Sequence, residues 1–530
     1  MAREFEVVLA RAVRKGRLDP EELLPAYLLL APASHPYLND ARRLDLTALT
    51  QGLRALPQGT MEAPRVFLVP RLAGFTVTPV ASAVFPAGTT DDGTLLIECR
   101  FGQVSLVNFA AHVAAVAHEV QKGRALLAEA GPVETPTMLA LALGVDEASL
   151  SEANGFTSGA LVRLVAQGGS LPAMQLHPTL SVEAITARMQ ERAQRILGRL
   201  AEMGLIHRPL HLFIGSDLVT DCLSPYVRDT RGVLTTWARA NAAALGEDLV
   251  VADATPSEDV SYALAYDFLR TDPRLKKERA EAERAVGIHR FEDDGVESEF
   301  IDLARIDQAA MDARLPTWTQ DLGGPVVVRL ASDPEDDDAE MIRQLVAALA
   351  STLRSVTLLV EGSMLSGETG TIVLPHLLVG WAGEEKLAVP NPSLLSADAL
   401  AGLTETRIEE GAVLSAPSAA LLCPSHVFDL SRRYGVTAVS IGLCGAVSAL
   451  AVARYGGVLA LDVPVRWALV STNVVRTGRS SVPVLQASAA VAIAVLRELV
   501  APQVAAAPEP DPPESPEPKR STGRTLRIRA

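Results

Sequence analysis

The chain has 530 residues, 48% of them hydrophobic and 21% charged, a length and texture suited to two or three domains with a large buried core and unlike a disordered protein. A net charge of −15 with only 4% aromatic residues argues against non-specific nucleic-acid binding and against base-stacking platforms. Four widely spaced cysteines (Cys99, Cys222, Cys423, Cys444) without a CxxC pair exclude a disulfide scaffold or cysteine zinc site and fit a reducing cytoplasm.

Arg11, Arg14 and Lys15 interrupt any apolar run that a signal peptide would need. Residues 1–204 read as a mixed α+β module rich in helix. Glu4–Val13 and Pro20–Leu30 have helical patterning, and Arg65–Val69 and Thr94–Cys99 read as short strands. Ser105–Lys122 predicts a long apolar helix closed by Gly123. Further helices are expected over Thr135–Leu143, Ser158–Gln167 and Val182–Met203.

Residues 205–501 change to an α/β texture. Pro209–Gly215 reads as a strand running into Ser216 and Asp217, and Glu247–Ala254 as another. Residues 272–310 look like a charged helical insertion, with the acidic run Glu292–Glu299 on a solvated face. Strands near Val326–Leu330, Val356–Val360, Thr371–Leu374, Ala438–Ile441 and Val465–Ser471 alternate with helices, the last over Val484–Leu499. That alternation predicts a mainly parallel twisted sheet flanked by helices, with Gly362–Gly370 as a glycine-bearing loop. Gly435–Ala453 is uncharged over roughly 19 residues, near spanning length, but its glycines divide it into a buried strand and a core helix, so no membrane span is expected. Residues 502–530 form a Pro-rich tail expected to be disordered. It ends in Lys519, Arg520, Arg524, Arg527 and Arg529, interleaved with Leu526 and Ile528, a pattern suited to docking on a protein partner.

No cofactor or metal site is expected. The acids Asp333, Glu335, Asp336, Asp337 and Asp338 precede a helix, where its dipole favours them and where they would repel a phosphate. His112 and His118 point to different faces of one helix, and Pro209 breaks the helical register between His207 and His211. Walker, GxGxxG and GxSxG motifs are absent. Cys444 lies between Gly442 and Gly445 at a strand-to-helix junction, where a helix N-terminus can lower a thiol pKa. With no base nearby in sequence, the simpler reading is a small residue filling space.

Three segments carry a resemblance: Gly411-Ala-Val-Leu-Ser415, Tyr434-Gly-Val-Thr-Ala-Val-Ser-Ile-Gly-Leu-Cys-Gly445 and Trp467-Ala-Leu-Val-Ser-Thr-Asn473. With Gly370-Thr-Ile-Val-Leu-Pro375 and Ala388–Leu395, they resemble the nucleoside phosphorylase and AMP nucleosidase superfamily over roughly residues 325–500. The whole arrangement also looks like an uncharacterised bacterial family in which a mixed module precedes a divergent phosphorylase-like half. The resemblance implies a nucleoside, nucleotide or nucleobase ligand. In the superfamily a glutamate holds the ribose hydroxyls and an aspartate assists departure of the base. Those positions fall on Cys444 and Thr472, and Thr371 replaces a further aspartate.

The resemblance marks Ser216, at the phosphate-loop position, with Gly362, Ser363, Cys444, Ser471, Thr472 and Asn473 as ligand-binding candidates. It identifies no catalytic residue and leaves a homo-oligomer open. Two functions stay in view. One is a catalytically degenerate nucleoside- or nucleotide-binding protein, a pseudoenzyme. The other is an active N-ribosyl hydrolase or phosphorylase with non-standard residues. Loss of a general acid alone removes about 10²–10⁴ in rate, which favours the first.

Overall fold

The computed structural model describes the chain except residues 1, 31–34, 83, 100–101, 168, 242–256, 294–295, 319–323, 332–337, 381–385, 389–394, 417–423, 473–481 and 502–530. The expected strand Glu247–Ala254, the acids 333–337, Cys423, Asn473 and the tail all lie outside the described residues.

The N-terminal half is a six-stranded sheet in the order Arg17–Leu18, Met174–Leu176, Val66–Val69, Leu95–Glu98, Ala87–Thr89, Thr78–Val80. It shares its core with the helix Gly102–Ala130, whose Phe109, Val113 and Val116 are fully buried. That helix passes through Gly123 instead of ending there. A Cβ on Gly123 would come within 2.6 Å of Val165, so this glycine serves close helix packing rather than a cap.

The helix Val182–Glu202 (α1), capped by the Ser181 hydroxyl on Ala184 N–H, packs with the second half. Its Ala193, Ile196 and Leu200 share a core with Met341, Ile342 and Leu345. The helix Pro273–Ala285 (α2) follows the expected charged stretch, but residues 288–302 form a hairpin, Ile288–Asp293 with Val296–Asp302. The hairpin pairs onto the strand Val326–Leu330 and extends the main sheet. Glu299, expected on a solvated face, is fully buried because cations meet it from both sides. A chain of charges runs Asp221, Arg279, Glu283, Arg290, Glu299, Arg329, all of them buried except the half-buried Arg290.

The main sheet has ten strands, numbered here in chain order: β1 Leu210–Gly215, β2 Ile288–Asp293, β3 Val296–Asp302, β4 Val326–Leu330, β5 Leu353–Met364, β6 Ile372–Gly380, β7 Lys386–Ala388, β8 Ile408–Ala416, β9 Val436–Ile441 and β10 Val465–Ser471. Helices Asp338–Leu349 (α3) and Leu443–Tyr455 (α4) cover one face, and Val482–Val500 (α5) the other. The architecture is α/β, but the sheet is mixed. Five neighbouring pairs are parallel and five antiparallel. The strands β5, β10, β6, β8 and β9 pair in succession, and β9 returns to β5, closing a five-stranded barrel.

Two details make the closure. Strand β6 continues beyond the expected Leu374 through Pro375, where the register shifts by a bulge and no N–H is needed. Strand β5 runs through Gly362 and Ser363 to Met364 instead of turning into a loop. A Cβ on Gly362 would lie 2.6 Å from both the Val439 carbonyl oxygen and Leu469. This glycine lets two strands cross closely.

The uncharged run 435–453 divides at Gly442, which takes a left-handed φ of 70° between β9 and α4. Among the described residues α5 alone is long and apolar enough to cross a membrane, and its Ala487–Ile493 stretch is buried against Leu234, Tyr262 and Ile306.

Two histidines tie the fold to pH. Burial pushes both His112 and His211 down to about 4, and nearby Arg466 and Arg354 add to the effect at His211. The unfolded chain protonates them near pH 6.5, so it binds more protons than the folded chain at pH 5. Their stabilisation is complete above pH 6.5 and is lost as pH falls through 4. Each should weaken the fold by on the order of 2 kcal/mol between pH 7 and pH 5. Urea unfolding at the two pH values should show this loss, and His112→Leu should roughly halve it.

Candidate functional site

The centre of the site is the stretch Leu359–Ser363 of β5, because three other strands end beside it. Gly215, the last residue of β1, pairs with Leu359. Ser471, the last of β10, pairs with Gly362. Ser363 pairs antiparallel with Val439 near the end of β9. In α/β sheets, ligands settle beyond such strand ends.

The turn after β1 is held tightly. Gly215 has φ 125°, and a Cβ there would meet the Leu359 carbonyl oxygen at 1.9 Å. Ser216 follows, its hydroxyl accepting from Leu218 N–H at 3.3 Å. Arg329 donates to the Gly215 carbonyl at 3.3 Å from behind. Burial opposes the charge on Arg329, but Glu299 more than offsets it and holds the group above its ordinary value.

Cys444 stands in the first turn of α4, half-buried. Its N–H donates to the Ser415 hydroxyl at 2.8 Å, and its Sγ lies 3.8 Å from the Ser448 hydroxyl. Ser415 pairs in register with Ser440, whose hydroxyl donates to the Glu361 carbonyl at 3.3 Å. Thr472 donates its N–H to the Gly362 carbonyl at 2.7 Å.

Of the sequence candidates, Gly362, Ser471, Thr472 and Cys444 are thus tied to one stretch of β5 directly or through Ser415 and Ser440. Ser216 joins through the neighbouring strand. Ser471 is fully buried, and its backbone exchanges hydrogen bonds with Gly370 and Thr371, so it closes the barrel. Ser363 is exposed on β5. Asn473 lies outside the described residues. Sequence reasoning missed Ser415, Ser440, Ser448 and Glu361. Ser448 lies one helical turn beyond Cys444, whereas Ser415, Ser440 and Glu361 end or punctuate apolar runs that only the barrel's pairing brings together.

Chemically, the cluster offers hydroxyls, a thiol and backbone groups at positions 415, 440, 444, 448 and 472. The nearest carboxylate on the central strand is Glu361, which is exposed. A separate gathering of His35, His118 and Glu119 in the N-terminal half has metal-like spacing. The Lys122 ammonium already sits 2.6 Å from the Glu119 carboxylate and supplies the balancing charge. A cleft of about 770 Å³ in the same half is lined by Arg54, Phe156 and Arg163, and Arg163 is neutralised by Glu62 at 3.1 Å.

Residues 172–442 match the family of unknown function DUF6909, and the chain belongs to it. No curated protein matches the chain. Among solved structures, it is similar to the 5'-methylthioadenosine/S-adenosyl homocysteine nucleosidase of Campylobacter jejuni, at 10% identity and a TM-score of 0.30, over 55% of this chain and 97% of that one. It is also similar to a futalosine hydrolase mutant of Helicobacter pylori, at 14% identity and 0.27, over 41% and 89%. A third is the 5'-methylthioadenosine/S-adenosylhomocysteine nucleosidase of Neisseria meningitidis in complex with methylthio-immucillin-A, at 10% identity and 0.29, over 55% and 97%.

Proposed function

We propose that this DUF6909 protein binds a nucleoside, nucleotide or free base at the strand-end cluster and no longer cleaves it. The observation that carries the reading is the setting of Cys444 and Thr472. Thr472 bonds the Gly362 carbonyl just past the end of β10, Cys444 stands in the first turn of α4 beside Ser415 and Ser448, and neither is an acid. Cleaving a ribosyl–base bond needs the ribose fixed as positive charge grows on it, and a proton donor for the departing base. A thiol cannot grip two ribose hydroxyls as a carboxylate does, and a threonine cannot supply a carboxylic proton. Hydrogen bonding to sugar and base survives these replacements. The reading invokes no metal or cofactor.

Thermal shift against adenosine, inosine, uridine, AMP and adenine tests it. A ligand that binds only the folded state stabilises it by about 2.7 kcal/mol at a hundred times its Kd. At least one compound should raise the melting temperature, and a flat panel at millimolar ligand would overturn the reading.

One observation favours a second reading, an active N-ribosyl hydrolase or phosphorylase with an unusual acid. Glu361 is exposed between Val360 and Gly362, and its own carbonyl is bonded by Ser440. In that case the wild-type protein releases base, and Glu361→Gln stops it.

A further inference from the structure

The far end of α4 carries an apolar face that the strand-end cluster does not use. Val452, Tyr455, Val458 and Leu461 are 65%, 82%, 45% and 73% exposed within ten residues of chain. Such clustering on a soluble surface marks a contact site, whereas single exposed side chains do not. The face is presented by a fixed turn. Leu459 and Val463 are anchored in the core, and Arg454 donates to the Leu461 carbonyl at 2.6 Å.

The start of the C-terminal tail lies close by. Glu498, in the last turn of α5, is ion-paired with Arg466, and Arg466 follows the turn by only a few residues. The helix ends with Ala501 N–H donating to Arg497, leaving residues 502–530 beyond it. Seventeen residues separate Ala501 from Lys519, a length of chain that reaches at most about 55–60 Å, enough to bring residues 519–530 back to this turn. Tethering makes the docking intramolecular, so even a weak contact would be filled.

We infer that residues 519–530 dock on the face made by Val452, Tyr455, Val458 and Leu461. The chemistry is complementary. The last twelve residues carry five basic groups and no acid on a chain whose net charge is −15. In an extended conformation Leu526 and Ile528 share one side, with Arg527 and Arg529 on the other. The two apolar side chains cover the patch, one guanidinium takes the Tyr455 ring face, and another takes the exposed carboxylate of Asp462.

Hydrogen exchange on the full chain and on a chain lacking residues 516–530 tests the docking. Amides of 452–463 should exchange at least threefold faster after truncation. A synthetic peptide of residues 519–530, added at millimolar concentration, should restore protection. Leu526→Ser with Ile528→Ser in the full chain should reproduce the truncation. Unchanged exchange in the truncated chain would overturn the inference. So would light scattering in which Tyr455→Ser with Leu461→Ser dissociates a dimer equally with and without the tail, since the face would then join two copies.

Discussion

Cys444→Glu combined with Thr472→Asp is expected to raise base release at least tenfold above wild type. At position 444 the new carboxylate enters the first turn of α4, where the helix dipole favours a negative charge, beside the Ser415 hydroxyl. It is placed to hold ribose hydroxyls. At position 472 the aspartate lies against the Gly362 carbonyl in a half-buried setting, which raises its pKa in the direction a proton donor needs. A well-placed general acid supplies about 10²–10⁴ in rate, and an unoptimised pair should recover part of that. Chromatographic detection of free base from adenosine, inosine and AMP reads the gain, and a melting curve verifies that the variant folds. A folded variant that still binds nucleoside but shows no gain would mean that these positions do not face the scissile bond.

The largest stability effect is expected at Glu299. This fully buried carboxylate contacts Arg290 and Arg329 and accepts from the Thr220 hydroxyl. Removing one partner of a buried ion pair leaves an uncompensated charge and costs about 3–5 kcal/mol. Glu299→Ala strands Arg329, whereas Arg290 keeps Glu283 and Glu297. Adding Arg329→Met to Glu299→Ala should therefore recover part of the loss. Urea denaturation measures both variants. A loss below 1 kcal/mol in the single variant, or none recovered in the double, would show that the chain of charges is not coupled. The network also fixes the turn before Ser216, because Arg329 holds the Gly215 carbonyl.

Local signals in the sequence located most strands of the second half, because their apolar runs are short and bounded by Gly or Pro. Val326–Leu330, Val465–Ser471 and the division of 435–453 at Gly442 are of this kind. Long-range pairing was not legible. A glycine at 362 reads as a loop, and only the approach of Val439 and Leu469 shows that it permits a crossing. The barrel depends on that crossing and on a bulge at Pro375, neither of which has a periodic signature. The hairpin 288–302 was hidden by its own charges. Arg290, Glu297 and Glu299 look solvated until Glu283 and Arg329 are brought against them. The candidate site was legible as Cys444, Thr472 and Gly362 through the resemblance, and illegible as Ser415, Ser440 and Glu361, which pairing alone assembles.

A strand-end cluster that holds a nucleoside without breaking it should be separable from an enzyme in one experiment. Wild-type protein in excess over a nucleoside that stabilises it, followed by chromatography for free base with and without phosphate, tests this most directly. Saturable binding of the intact nucleoside is expected, with base release no faster than in buffer alone. Release of base within minutes, abolished by Glu361→Gln, would contradict it and make the protein an enzyme with a relocated acid.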